Sequence, residues 1–170
     1  MDQPSIDGIN TWFVSKAAHE LGLKVAISGV GGDELFGGYP SFRDIPRWLD
    51  YLKLPSHTGL MGARLRRIAT AFGFNELARS PKASALLELG RDWAGTYVVR
   101  RGLFMPWELE QIMDPEQARQ GLAEIDPVAL VRRELTPDPG SPFARVATME
   151  SALYMRNQLL RDTDWASMAH

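Results

Sequence analysis

The chain has 170 residues, 45% of them hydrophobic, with a formal charge of −2 and no cysteine. That composition suits one globular unit with a sizeable core, and it excludes disulfides, thiolate catalysis and cysteine-based zinc sites. No apolar run approaches the length of a membrane span and the start lacks the regions of a secretory signal, so a cytoplasmic chain is expected.

In chain order, Ile9, Trp12, Phe13, Ala17 and Leu21 recur at helical spacing after Asp7, and Gly22 follows as the stop. Residues 23–27, containing the apolar run Val25-Ala26-Ile27, then read as a short buried strand. Helix, strand, glycine turn and helix make half of a doubly wound α/β unit, whose neighbouring strands are expected before residue 1.

The strand runs into residues 28–39, S-G-V-G-G-D-E-L-F-G-G-Y. Ligands of open parallel sheets bind at the carboxyl ends of strands. Gly29, Gly31 and Gly32 let bare N–H groups approach an anion, with Ser28 and Val30 in the same turn. Asp33 and Glu34 set carboxylates beside it, and Mg²⁺ is the natural mediator between a carboxylate and phosphate oxygens. A dinucleotide fingerprint from Gly29 fails at Glu34, and a Walker-type loop from Gly32 fails at Gly38 and Tyr39. The competing reading is a plain strand-to-helix turn, with Asp33 as helix cap, Glu34 favouring the positive helix end and Gly37-Gly38 closing it.

The remainder reads as helices punctuated by Pro and Gly, with residues 40–140 as a helical body and residues 141–170 as a long buried helix. Tyr51, Leu52 and Leu54 close one amphipathic segment, Leu60, Leu65, Ile68 and Phe72 mark another, and Leu86, Leu87 and Leu89 a third. Residues 136–142 are the best linker, and Ser141-Pro142 makes a good helix start. Between residues 41 and 82 eight basic residues face three acidic ones, without aromatic interleaving, so a solvated helix face is expected rather than a nucleic-acid surface. Along the last helix Arg156, Asn157, Arg161, Asp162 and Asp164 interrupt an apolar surface; an Arg–Asp network and an active-site role for Asp164 both stand open. His19, His57 and His170 make no metal spacing, and the five Trp read as core or half-buried anchors.

Residues 28–39 match every fixed position of S-G-x-G-[SG]-D-E-[LV]-F-G-G-Y, a signature of the glutamine-hydrolysing asparagine synthetases. Asp2-Gln3-Pro4-Ser5 resembles the segment leading into the preceding helix, and Leu159-Leu160 with Asp164 and Ser167-Met168-Ala169 resembles the family's L-L-x-x-x-D-x-x-S-M-A stretch. The chain therefore resembles the synthetase domain of that family. The resemblance implies part of an adenine-nucleotide α-hydrolase-like α/β domain, mainly α here with one short strand because the upstream strands are lacking. The family's S-G-G-x-D-S loop and its glutaminase domain are absent, and the chain ends before the expected S-L-E-x-R-V-P, which reads as an internal fragment of a longer enzyme.

What the resemblance implies is an ATP-dependent ligase that adenylates a carboxylate, aspartate in the namesake enzymes, and amidates it with ammonia released from glutamine by a separate domain. Carried over by position, residues 28–33 would bind the nucleotide, with Ser28 and Gly29 in contact and Asp33 holding Mg²⁺. Val30 departs from the glutamate of asparagine-forming members and offers neither charge nor hydrogen bond. The acceptor is then another carboxylate, as in relatives that amidate other acids or close lactam rings, unless another residue substitutes. A helical interaction module with a vestigial turn is the alternative from a different class. The isolated chain is expected to be inactive and, with strand edges bared at residues 23–27, prone to homo-oligomerise.

Overall fold

The structure is a computed structural model that describes residue 5, residues 7–51 and residues 60–170. Asp2, Gln3 and Pro4 of the upstream match, and Leu52, Leu54 and His57, lie outside the described residues. The rest falls into two compact units, residues 5–39 with 147–170, and residues 40–146.

The first unit opens with α1 (Gly8–Glu20). The Ser5 hydroxyl accepts from the Gly8 N–H at 2.9 Å. Gly22, at φ +72°, ends the helix where the periodicity placed its stop, and the Leu23 N–H reaches back to the Ala18 carbonyl at 3.0 Å. The helix does not bury its apolar stripe: Ile9, Phe13 and Val14 are exposed. It packs instead against α11 (Arg161–Ser167), where a Cβ on Gly8 would collide with Ser5 Oγ and the Trp165 ring.

The buried strand expected at residues 23–27 is not formed. The segment runs without regular structure, Leu23 and Val25 are exposed, and Ile27 is 99% exposed. A strand exists only by pairing its N–H and C=O groups with a neighbour, and the described residues contain no strand; they are mainly α, as expected, without the one strand.

After the turn comes α2 (Gly32–Phe36), which meets the stretch Glu150–Leu160, wound as a π-helix and continuous with α11. The last helix is not buried around its circumference. Met149, Glu150, Asp162 and Ala166 are inside, whereas Arg156, Asn157, Leu160 and Asp164 face out.

The second unit contains α3 (Ser41–Tyr51), α4 (Leu60–Ala71), α5 (Phe74–Leu77), α6 (Leu86–Leu89), α7 (Trp93–Arg101), α8 (Pro115–Glu124), α9 (Pro127–Glu134) and the start of α10 (Pro142–Met149). Two 3₁₀ turns, Ala83–Ala85 and Pro106–Gln111, complete it. Its centre is α7, in which Ala94, Gly95, Thr96, Tyr97, Val98 and Val99 are all buried. Asp92 caps α7 by accepting from the Gly95 N–H at 2.8 Å, and its other oxygen accepts from Arg132 of α9 at 2.6 Å. Helices α8 and α9 each begin Asp-Pro, with Asp114 and Asp126 capping and proline at the first position, where no N–H is needed. Ser141-Pro142 starts α10 as the sequence predicts, the Ser141 hydroxyl accepting from Ala144 N–H at 3.1 Å.

One amphipathic expectation reverses. Leu60, Leu65 and Ile68 of α4 and Phe72 just beyond it are exposed, and the helix turns Arg66 inward instead. Arg66 pairs with Glu88 at 2.5 Å and lies 3.7 Å over the Trp107 ring, while the Thr70 hydroxyl bonds to Ser84 at 2.9 Å. A guanidinium offered both a carboxylate and an aromatic face outweighs the stripe. All five Trp are half-buried, as anchors should be.

Gly95 is the tightest backbone approach, since a Cβ there would strike the Leu89 carbonyl. Gly95→Ala is expected to cost about 1–3 kcal/mol through forced displacement of backbone, read as a lower urea midpoint with an unchanged slope. An unchanged midpoint would refute the contact.

Candidate functional site

Residues 28–33 form an open turn. The Val30 N–H approaches the Ser28 hydroxyl at 3.5 Å, and the Gly32 N–H bonds to the Gly29 carbonyl at 3.1 Å. Gly31 takes φ +95°, where an L side chain is strained, and is itself the cap of α2. A Cβ on Gly29 or Gly32 would meet nothing within 4 Å, whereas one on Gly31 would meet Met155 Sδ at 3.5 Å. Ser28, Gly29 and Val30 are exposed, as is Asp33.

Asp33 does not cap the helix, contrary to the plain-turn reading. It lies in the first turn of α2, one residue beyond Gly32. Its carbonyl accepts from the Gly37 and Gly38 N–H groups, both at 2.9 Å, closing this five-residue helix with Gly37 left-handed at φ +76°. The Asp33 carboxylate folds over Gly38, where a Cβ would collide with it. The paired glycines thus leave room for an acidic side chain that remains solvent-accessible.

Glu34 is the opposite case, fully buried at 1% exposure. One carboxylate oxygen accepts from the Tyr39 hydroxyl at 2.9 Å; the other, Oε2, is buried without a hydrogen bond. Burial, then the Glu34 hydrogen bond and charge, raise the Tyr39 phenol well above its ordinary value. The Tyr39 ring meets Tyr154 edge-on at 5.7 Å, which ties the end of the signature to the π-helical stretch.

Of the two readings left open for the last helix, the Arg–Asp network forms, and it centres on Asp162. Asp164 is exposed, and the structure gives no hydrogen bond or ion pair between it and the turn. Asp162 carries the network. Its Oδ2 accepts from the Ser5 hydroxyl at 2.8 Å, and its Oδ1 from Arg161 at 2.9 Å and from the Trp165 indole at 3.2 Å. Two residues apart on one helix, the two carboxylates point to different environments; Arg161 and Trp165 are local partners of Asp162, and Ser5 is distant in sequence. The Glu34–Tyr39 pair escaped the sequence reading as well, although its spacing within one signature was visible. Among the described residues no group of acidic or histidine side chains is arranged to hold a metal by itself.

The model of the family described as asparagine synthase matches residues 1–170, the whole chain. The chain belongs to the asparagine synthase family. Over 55 residues, 32% of this chain, it is 38% identical to amidase chry2 of Gibberella zeae, covering 8% of that protein. It is equally similar over the same length to amidase chyE of Penicillium rubens, covering 7% of it. The matched stretch therefore spans less than a tenth of the length of these curated relatives. No solved structure matches the chain significantly. No helix among the described residues is long and apolar enough to cross a membrane.

Burial by itself pushes the Asp162 carboxyl up, but the Arg161, Ser5 and Trp165 donors and the Arg161 charge outweigh it and hold it below its ordinary value. A lowered folded-state value means that the stabilisation is complete above the unfolded value and is lost as pH falls through the folded one. The urea midpoint should accordingly drop on acidification below about pH 4. Asp162→Asn should lower the stability by about 2 kcal/mol at neutral pH and flatten that acid limb. A parallel acid limb in the variant would assign the titration elsewhere.

Proposed function

We propose that residues 28–33 form part of the nucleotide cradle of an ATP-dependent carbon–nitrogen ligase. The observation that carries this reading is the open turn: Gly29 and Gly32 with no atom near an added Cβ, beside an accessible carboxylate, within a chain that matches the family throughout. Backbone N–H groups of a glycine turn are suited to phosphate oxygens, and the Asp33 carboxylate is suited to a hard cation. Mg²⁺, when bound there, would neutralise charge on the departing pyrophosphate. Gly38 keeps the Asp33 side chain folded to one side, and the Glu34–Tyr39 bond holds α2 in place beneath it.

The reaction in this reading is attack of a substrate carboxylate on the α-phosphate of ATP with loss of pyrophosphate, followed by displacement of AMP by ammonia drawn from glutamine. Val30, at 42% exposure in the turn, presents only methyl groups, so recognition of the acceptor cannot use a charge at this position. That favours a carboxylate other than aspartate. The amidase names of the two fungal relatives are compatible with amide chemistry on such an acid.

The test is pyrophosphate release by the full-length protein with ATP, Mg²⁺ and glutamine, offering a panel of carboxylic acids against aspartate and a no-acceptor control. We expect release with a member of the panel in preference to aspartate, and a loss of about a hundredfold in Asp33→Asn. Release driven best by aspartate would overturn the acceptor reading; unchanged activity in Asp33→Asn would overturn the role of the turn. The 170-residue chain alone, which lacks the S-G-G-x-D-S loop, is expected to show no turnover.

A further inference from the structure

The second unit contains a cavity of about 590 Å³ between α3, α6, α7 and the turn leading into Ala83–Ala85. Its walls are mainly apolar, with Trp48, Phe74, Leu86, Leu87 and Val99 among them. Its volume falls in the range of small-molecule sites.

The charges at its rim select the kind of ligand. Asp44, Lys82 and Arg100 line the cavity. Asp44 is already answered twice, by Arg43 at 3.0 Å and by Arg100 at 3.4 Å. Among the described residues Lys82 has no carboxylate partner; its ammonium donates to the Gly102 carbonyl, which uses one of its three N–H donors. The rim therefore carries one positive charge in excess beside an aromatic and aliphatic wall.

We propose that this cavity binds a small amphipathic carboxylate, its apolar or aromatic body against Trp48, Phe74 and Leu86 and its carboxylate on Lys82. An amine would meet Lys82 with like charge, and a neutral molecule would leave the excess unanswered. The proposal concerns the second unit alone and is independent of the glycine turn.

The probe is 4-phenylbutanoate, titrated calorimetrically into the chain, with 4-phenylbutanamide as the neutral counterpart of the same shape. The acid is expected to bind with a dissociation constant of order 1 mM, the range open to a ligand of this size, and about tenfold more tightly than the amide, as expected for a charge-assisted contact. Lys82→Gln should bring acid and amide together, and Leu86→Trp, which fills the cavity, should abolish both. Asp33→Asn should leave both titrations unchanged. Equal affinity of acid and amide for the unsubstituted chain would overturn the proposal, as would the absence of binding at about ten times that concentration. Retained binding in a Leu86→Trp chain with native circular dichroism would overturn it too.

Discussion

The first unit depends on a carboxylate that has left water. Asp162 is fully buried, which would cost several kcal/mol if nothing answered its charge. Three donors answer it, and one of them, Ser5, stands 157 residues away in the chain. The same Ser5 hydroxyl accepts the first N–H of α1, so a single oxygen joins the start of one helix to the end of another. Gly8 allows the approach, because any larger residue would strike the Trp165 ring that also donates to Asp162. Charge satisfaction and steric permission converge on one contact.

The glycine turn is organised differently, with its bounds set by local geometry. Gly31 enters α2 left-handed, Gly37 leaves it left-handed, and the helix between them is five residues long. So short a helix gains little from its own hydrogen bonds and must be held from outside. The buried Glu34, bonded to Tyr39, and the edge-on contact of Tyr39 with Tyr154 supply that hold. Asp33 is left free to face solvent, so the adjacent acidic residues divide into one that anchors and one that is presented.

In the second unit α7 plays the central part. Six consecutive buried residues, including Gly95 against the Leu89 carbonyl, show a helix enclosed on all sides rather than amphipathic. The small residues Ala94 and Gly95 permit close packing at its start, and Asp92 joins its cap to Arg132 of α9. Polar contacts do comparable work at α4, where Arg66 is bound by Glu88 and the Trp107 face.

Much of this was legible before any coordinates. The stop at Gly22, the start at Ser141-Pro142 and the glycine-rich turn before a short helix follow from backbone preferences, which act within a few residues and need no tertiary partner. The family, likewise, was carried by a contiguous signature whose residues are its own evidence. Burial was not legible in this way. The apolar run at residues 23–27 has the composition of a core strand, yet strand pairing and burial depend on neighbours, and here it lies exposed. Asp162 and Asp164 are both aspartates on one helix, and only the fold, by bringing Ser5 to one of them, made that one a buried anchor and left the other on the surface. Local rules set where helices start and stop; long-range contacts decide which side chains are withdrawn from water, because desolvation is a property of everything packed around a group.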